Sequence, residues 1–172
     1  MEWPMKKPEA FIFDMDGTLE NYNSRPITKG MELLHSQHEL GRVIIILTAR
    51  DHEFAYHYTH DWVSRELGQY AIPFVGPFLR NLEDQRYACD FKLDVYQRLS
   101  GLYEIVGAAD DDNYVLDMWH RVKKDRPDFE VHRLEYEEWV KPDEDSIWWD
   151  KHGFKDIEDY VEDSIFNVSK ED

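Results

Sequence analysis

Phe11-Ile12-Phe13-Asp14-Met15-Asp16-Gly17-Thr18-Leu19 is the stretch from which the fold is read. Phe11, Ile12 and Phe13 predict a short strand buried on both faces. Two aspartates follow at once, at i and i+2. Gly17 lets the backbone turn sharply and come close to a ligand. An apolar strand that empties into acidic residues carries carboxylates at its C-terminal end, where open α/β sheets bind ligands. Asp-x-Asp alone fits an Asx-type turn equally well. The full stretch, with glycine and threonine after the second acid, is far more specific.

Outward from this strand the chain alternates. Met1–Pro8 is a polar lead-in, and Ala10–Phe13 is the first strand. A polar loop follows Leu19. Thr28 reads as the N-cap of a helix to about Leu40, with Met31, Leu33, Leu34 and His38 roughly on one side and Gly41 at its end. Val43–Leu47 is a second buried strand, ending at Thr48-Ala49-Arg50. Asp51 is placed to cap a helix to about Leu67, with Phe54, Tyr58 and Trp62 at helical spacing and Gly68 as its stop. Ile72–Val75 reads as a short third strand, and a loop with Arg80, Asp84 and Arg86 follows. A helix from about Tyr87 to Leu99 carries Lys92. Tyr103–Ala108 is the fourth strand, ending at Ala109-Asp110-Asp111-Asp112. Asn113–Lys124 is helical, with Val115, Met118, Trp119 and Val122 inward, and Phe129–His132 is a fifth strand. This alternation predicts an α/β fold with a mostly parallel sheet and helices on both faces, a three-layer sandwich.

The 172 residues make one domain the prior. A chain of this size buries about 70% of its unfolded surface. No apolar run approaches the roughly 20 residues of a membrane span, so no membrane partner is expected. Met1–Lys7 has no apolar core of a signal peptide. Cys89 is the one cysteine, which excludes an intrachain disulfide and favours a cytoplasmic setting. The net charge of −17 argues against stable non-specific binding to DNA. The tail from Glu135 to Asp172 holds four Lys against fourteen Asp or Glu, ten of those seventeen negative charges. The front of the chain can therefore still present a local basic groove. The expected division is residues 1–140 as the α/β domain and 141–172 as an acidic extension. An amphipathic helix in that extension, from Asp156 to Val168, would dock on the domain.

Parallel strands would bring four places together: Asp14/Asp16, Thr48/Arg50, Lys92 and Asp110/Asp111. Carboxylates with open positions suit a hard cation such as Mg²⁺. A cation, a hydroxyl and a lysine together suit a phosphoryl group. One carboxylate can attack phosphorus to give an aspartyl-phosphate. A second, two residues on, can protonate the leaving oxygen and later activate water. Thr48 can donate to a phosphoryl oxygen, and Lys92 can offset the crowded negative charge.

These motifs resemble those of the haloacid dehalogenase superfamily of phosphatases. Asp14-Met15-Asp16-Gly17-Thr18 matches its first motif, Thr48 its second, Lys92 its third and Asp110-Asp111 its fourth, in order. The resemblance implies Asp14 as nucleophile, Asp16 as general acid/base, and Thr48 and Lys92 as phosphoryl-binding residues. It implies Mg²⁺ as cofactor, held by Asp14, the main-chain oxygen of Asp16, and Asp111, with Asp110 in support.

From about Lys7 to His132 the chain is similar, more narrowly, to the 3′-phosphatase domains of phage polynucleotide kinase-phosphatases. Arg25 lies in the loop after the first motif, Arg50 follows Thr48 by two, and Arg80, Asp84 and Arg86 lead to Lys92. Val115-Leu116-Asp117-Met118-Trp119-His120-Arg121 matches a further segment. The resemblance implies that Arg25, Arg50, Arg80 and Arg86 hold the substrate, where a guanidinium binds phosphate bidentately. Arg86 could instead pair with Asp84. Two features depart from the pattern. Ala88 stands where those domains carry an aspartate four residues before the lysine, leaving Asp90 or Asp94, at another helical phase, to replace it. No Gly-x-x-x-x-Gly-Lys-Ser/Thr occurs, so no P-loop kinase activity is implied.

The segments before Arg42 and before Lys92 are too short for a large cap domain over the site. An open site admits a polynucleotide end and small phosphates alike. The expected activity is Mg²⁺-dependent removal of 3′-phosphates from polynucleotide ends, in the cytoplasm (the host's, if the gene is phage-borne). The alternatives are a nucleotide or small-molecule phosphatase and a non-catalytic regulatory or binding protein. His52, His57 and His60 do not share one clean helix face, which points to a polar helix surface rather than a metal site. Cys89 reads as a packed cysteine. Trp148 and Trp149, amid acids, read as docking anchors.

Overall fold

The computed structural model describes residues 5–134. Five strands alternate with four helices: β1 (Glu9–Phe13), α1 (Thr28–Glu39), β2 (Val43–Asp51), α2 (His52–Gly68), β3 (Phe74–Arg80), α3 (Ala88–Leu99), β4 (Glu104–Asp110), α4 (Asn113–Asp125) and β5 (Glu130–Arg133). The strands form one sheet in the order β3-β2-β1-β4-β5. Every pairing is parallel. The sheet is thus wholly parallel, one step beyond the mostly parallel arrangement expected.

The apolar runs explain the layering. Successive strand residues face opposite sides of the sheet. Phe11 and Phe13 of β1, with Ile44 and Ile46 of β2, pack against Met31 and Leu34 of α1 and Trp62 and Leu67 of α2. Ala10 and Ile12, with Ile45 and Leu47, pack against Phe91 and Tyr96 of α3 and Trp119 of α4. Both tryptophans are almost wholly buried. Truncating either to alanine would cost about 3–5 kcal/mol.

Strand order sets where the chemistry can sit. The chain runs outward from β1 through β2 to β3, then returns to the other side of β1 for β4 and β5. The order reverses between β1 and β4, and ligands of open parallel sheets bind outside the carboxyl ends of the strands at such a reversal. β1 ends at Phe13, opposite Ala109 of β4, so Asp14 and Asp110 emerge side by side.

Several boundaries differ from the expectation. β3 runs from Phe74 to Arg80, later than the expected Ile72–Val75, so Arg80 ends a strand and does not lie in a loop. Gly76 and Pro77 look like breakers in sequence, but β3 is an edge strand, where proline removes no ladder bond on the free side. The N-cap of α1 is Ile27, and Thr28 is its first helical residue. Asp51 occupies the N-cap of α2 without a side-chain cap hydrogen bond. Within α2 the stripe Phe54, Tyr58 and Trp62 splits: Trp62 is core, whereas Phe54 and Tyr58 are exposed. His38 of α1 is half-buried, and Gln37 takes the place on the inner stripe.

No domain is inserted between these elements among the described residues, and no helix there is long and apolar enough to cross a membrane. The expected extension over 141–172, with its helix from Asp156 to Val168 and Trp148 and Trp149, lies outside the described residues.

Candidate active site

Asp14 is the first residue past β1. Its N–H donates to the Ala109 carbonyl at 3.2 Å, which pins it to the end of β4. The next turn is tight: the N–H groups of Thr18, Leu19 and Glu20 all converge on the Met15 carbonyl at 3.0–3.1 Å. Gly17 makes the turn with φ +76°, and a Cβ there would lie 2.0 Å from Oδ2 of Asp111. Glycine therefore lets the loop after β1 close onto the loop after β4. The same turn brings the Thr18 hydroxyl to Oδ2 of Asp14 at 3.2 Å.

Lys92, one turn into α3, reaches under this loop and is almost wholly buried. Its ammonium donates to Oδ1 of Asp14 at 2.9 Å and to Oδ2 of Asp110 at 2.6 Å. The other oxygen of Asp110, Oδ1, accepts from the N–H groups of Asp111 at 2.9 Å and Asp112 at 3.0 Å. Asp110 therefore holds the lysine and shapes the loop that carries Asp111. The positioning expected of Asp90 or Asp94, in place of an acid at Ala88, is supplied from β4. Asp94 pairs instead with Arg86 and Arg98 at the surface, and Asp90 is exposed.

The cluster is short of positive charge. Asp14, Asp110 and Asp111 each offer a carboxylate oxygen, all within 4.8 Å of one another. Burial, and then the charge of Asp110, push Asp14 well above the usual carboxylate range against the pull of Lys92. The same two causes push Asp111 up to about 6. Burial alone would make Lys92 easier to deprotonate, but Asp14 and Asp110 outweigh it and hold its proton more tightly than in water. Three carboxylates against one ammonium leave two negative charges when all are ionised. One divalent cation balances them, and all-oxygen donors are what a hard cation takes. The residues present thus fit Mg²⁺. Asp110 falls in this group with Asp14 and Asp111, its two oxygens already bonded to Lys92 and to the Asp111 and Asp112 N–H groups. The Asp16 carboxylate lies outside the group, which leaves only the expected main-chain contribution from that residue.

Asp16 points outward, its side chain 59% exposed, onto Arg50. The guanidinium meets both its oxygens, Nε to Oδ2 at 2.9 Å and Nη2 to Oδ1 at 2.6 Å. It also donates to Glu20 at 3.2 Å and to the Thr59 hydroxyl at 2.9 Å. Burial would weaken the hold of Arg50 on its proton; Asp16 and Glu20 more than reverse this. Arg50 therefore braces the loop after β1 against α2, and its forked contacts are spent inside the protein. Tyr58 and Trp62 of α2 complete the brace. The Tyr58 hydroxyl lies 2.7 Å from a Glu20 oxygen and 2.8 Å from the Ser24 hydroxyl, and the Trp62 indole N–H donates to the Ser24 carbonyl at 2.9 Å.

The remaining expected residues divide. Thr48 lies two residues beyond Ile46, the partner of Phe13, and so at the level of the loop; it is buried, and its Oγ1 accepts from the Arg50 N–H at 3.3 Å. The Arg25 guanidinium is exposed and has no partner among the described residues. Arg80, at the end of β3, donates through Nη1 to the Arg86 carbonyl at 2.7 Å. Arg86 is committed elsewhere: it forks onto Asp84 and reaches Asp94, and it holds Asp84 down to about 2. Sequence reading missed Thr18, Glu20, Tyr58 and Thr59. Thr18 was visible within the opening motif. Nothing in the spacing marks Glu20 as the neighbour of an arginine thirty positions on. His52, His57 and His60 form no metal group among the described residues; His52 and His60 stack against Tyr56.

Residues 8–136 match the family model described as the polynucleotide kinase PNKP phosphatase domain. Two solved structures share the fold. One is described as the Pnkp1/Rnl/Hen1 RNA repair complex, matched at 24% identity and a TM-score of 0.60 over 77% of this chain and 44% of that one. The other, described as the Pnkp1/Rnl/Hen1 complex, gives 24% and 0.59 over 77% and 47%. The chain thus spans less than half the length of the chains it matches. No curated protein sequence matches it significantly.

Proposed function

The chain belongs to the family of polynucleotide kinase PNKP phosphatase domains, and from that premise we propose that it removes the 3′-phosphate from a polynucleotide end in a Mg²⁺-dependent reaction. The observation that carries this reading is the Asp14–Lys92–Asp110 cluster at the reversal of strand order, with a second acid two residues after the first.

One oxygen of Asp14 attacks phosphorus while Lys92 and Thr18 hold the carboxylate in place. The bond from phosphorus to the 3′ oxygen breaks, and Asp16 gives that oxygen its proton. Asp16, now ionised, takes a proton from water. The water oxygen attacks the phosphorus of the aspartyl-phosphate, the bond to Asp14 breaks, and inorganic phosphate leaves. Thr48 and Lys92 donate to the phosphoryl oxygens. Mg²⁺, held by Asp14, the Asp16 main chain and Asp111 with Asp110 alongside, would supply charge neutralisation at the phosphoryl group. Arg25, free and exposed beside the loop, is the best placed of the arginines to meet substrate; Arg80 at the end of β3 is the next. Arg50 acts chiefly through Asp16.

The test is release of phosphate from a 3′-phosphorylated oligonucleotide with Mg²⁺, absent in Asp14→Asn. A preference for mononucleotides, with Arg25→Ala silent on the oligonucleotide, would move the reading to a small-molecule phosphatase. No turnover of any phosphomonoester would leave a non-catalytic protein on this fold.

A further inference from the structure

Nine large hydrophobic side chains stand exposed among the described residues, and they fall into two sets. Met5, Leu40, Tyr70 and Leu102 precede strands, at the amino end of the sheet. Phe54, Tyr58, Leu82, Tyr87 and Tyr114 follow strands, within the connections or first two helical turns at the carboxyl end that holds Asp14. Four of those five are aromatic. Phe54 is 61% exposed, Tyr58 46%, and Tyr87 and Tyr114 79% each.

The Tyr58 ring is tied to the machinery directly, and the other three belong to segments that lead to it. Tyr58 is held by its hydroxyl to Glu20 and Ser24, with Arg50 at 5.8 Å from its ring centre. Phe54 adjoins Glu53, whose carboxylate accepts the Leu82 N–H at 2.8 Å and so draws the β3–α3 connection to the start of α2. Tyr87 caps α3 five residues before Lys92, about 7 Å along the helix axis. Tyr114 hangs from the loop of Asp110 and Asp111, its N–H bonded to the Asp112 side chain at 2.9 Å. The rings thus stand at the starts of helices on both faces of the sheet, α2 on one and α3 and α4 on the other, at the end that holds Asp14.

We propose that Phe54, Tyr58, Tyr87 and Tyr114 form a base-stacking rim, so that the substrate is an unpaired polynucleotide end whose last nucleobases lie on these rings. The inference rests on the polynucleotide reading above and narrows it. A polynucleotide end brought to Asp14 arrives at the carboxyl end of the sheet, the end at which these rings stand. Unpaired bases present the π faces that aromatic rings stack on, and they do so without regard to sequence. A paired end keeps those faces stacked within the duplex, and a sugar phosphate has none. Arg25, exposed and next in the chain to Ser24, which tethers Tyr58, stands where a backbone phosphate would find it. A fixed ring such as Tyr58 loses little freedom when a base settles on it.

The test compares three 3′-phosphorylated substrates of one length: an unpaired strand, the same strand with abasic sugars at its last three positions, and the strand in a blunt duplex. The unpaired strand should show a KM at least about tenfold below the other two, with kcat little changed. Tyr87→Ala and Tyr114→Ala should each raise KM for the unpaired strand about tenfold, and phenylalanine at either position should restore it. Independently, 2-aminopurine as the terminal base should be quenched on binding to Asp14→Asn protein, and not when both tyrosines are alanine. Equal KM for abasic and base-bearing strands, or alanine variants without effect on KM, would overturn the rim while leaving the 3′-phosphatase reading intact. The exposed rings would then belong to a protein contact. No turnover of any 3′-phosphorylated strand would overturn the earlier reading instead. The fluorescence measurement would still decide the rim: quenching supports it, and an unquenched base refutes it.

Discussion

Arg50 grips both carboxylate oxygens of Asp16, at 2.9 and 2.6 Å, and reaches Glu20 and Thr59 with its remaining donors. The fork fixes the direction of the acid that serves the leaving oxygen in the proposed reaction. Arg50→Ala should lower kcat by about a hundredfold, because acid–base catalysis of this size depends on reach. Arg50→Lys keeps the charge without the fork and should recover only part of the loss. The loss should be larger for an alkyl phosphate than for p-nitrophenyl phosphate, whose leaving group needs no proton. Equal losses on both would show that Arg50 does not act through Asp16.

Lys92 is buried between Asp14 and Asp110. Removing one partner of a buried ion pair typically costs about 3–5 kcal/mol, because the other charge stays behind. Lys92→Met should therefore lose stability of that order at neutral pH in urea unfolding, together with activity. Lowering the pH should return part of the stability, since the stranded carboxylates then take up protons. A variant as stable as the parent would mean that the lysine does not hold these acids together.

The carboxylate cluster should make the metal-free protein less stable as pH rises. Asp14 lies well above the carboxylate range and Asp111 at about 6, so the folded state binds more protons than the unfolded state between about pH 4 and 6. Stability falls with pH wherever the folded state binds the extra protons. Asp84, held down to about 2, is already ionised throughout this window. Asp111→Asn should accordingly be more stable than the parent at pH 7.5 without metal, the gap closing by about pH 5. Mg²⁺ should raise the parent's Tm more at pH 7.5 than at pH 5. Thermal unfolding of both proteins at the two pH values, with and without Mg²⁺, reads out all of this.

Gly17→Ala should weaken the response to Mg²⁺ before it abolishes folding. The added Cβ would meet the Asp111 carboxylate at 2.0 Å, and φ is +76° there. The backbone strain alone costs roughly 1–2 kcal/mol. Displacement of Asp111 should raise the Mg²⁺ concentration for half-maximal activity by about tenfold, the scale of losing support at a metal ligand. An unchanged Mg²⁺ curve would place Asp111 outside the metal site.

What the sequence disclosed was whatever strand ends announce. Asp14, Thr48 and Asp110 follow apolar runs, and a parallel sheet must bring such ends to one side; Lys92 follows from the helix beside them. Contacts between segments distant in the chain were not legible. Arg50 and Arg86 look alike in sequence, yet one braces Asp16 and the other pairs with Asp84 and Asp94, because only Arg50 ends a strand next to β1. Phe54 and Tyr58 share helical spacing with Trp62, but the sheet ends before it can cover them. Gly76 and Pro77 hid a strand because their cost depends on having a neighbour on both sides, and β3 has one.

The place of β1 in the middle of the sheet bears on how the molecule comes apart. Amide exchange in native proteins is fastest at frayed margins and slowest in the most enclosed strands. Here the strand leading to Asp14 is flanked by β2 and β4, whereas Arg80 closes the outermost strand on one side. Partial opening on warming should begin at the margins and spare Asp14, the proposed nucleophile. On the proposed reading, the grip of Arg80 on substrate would be lost while Asp14 is still in place.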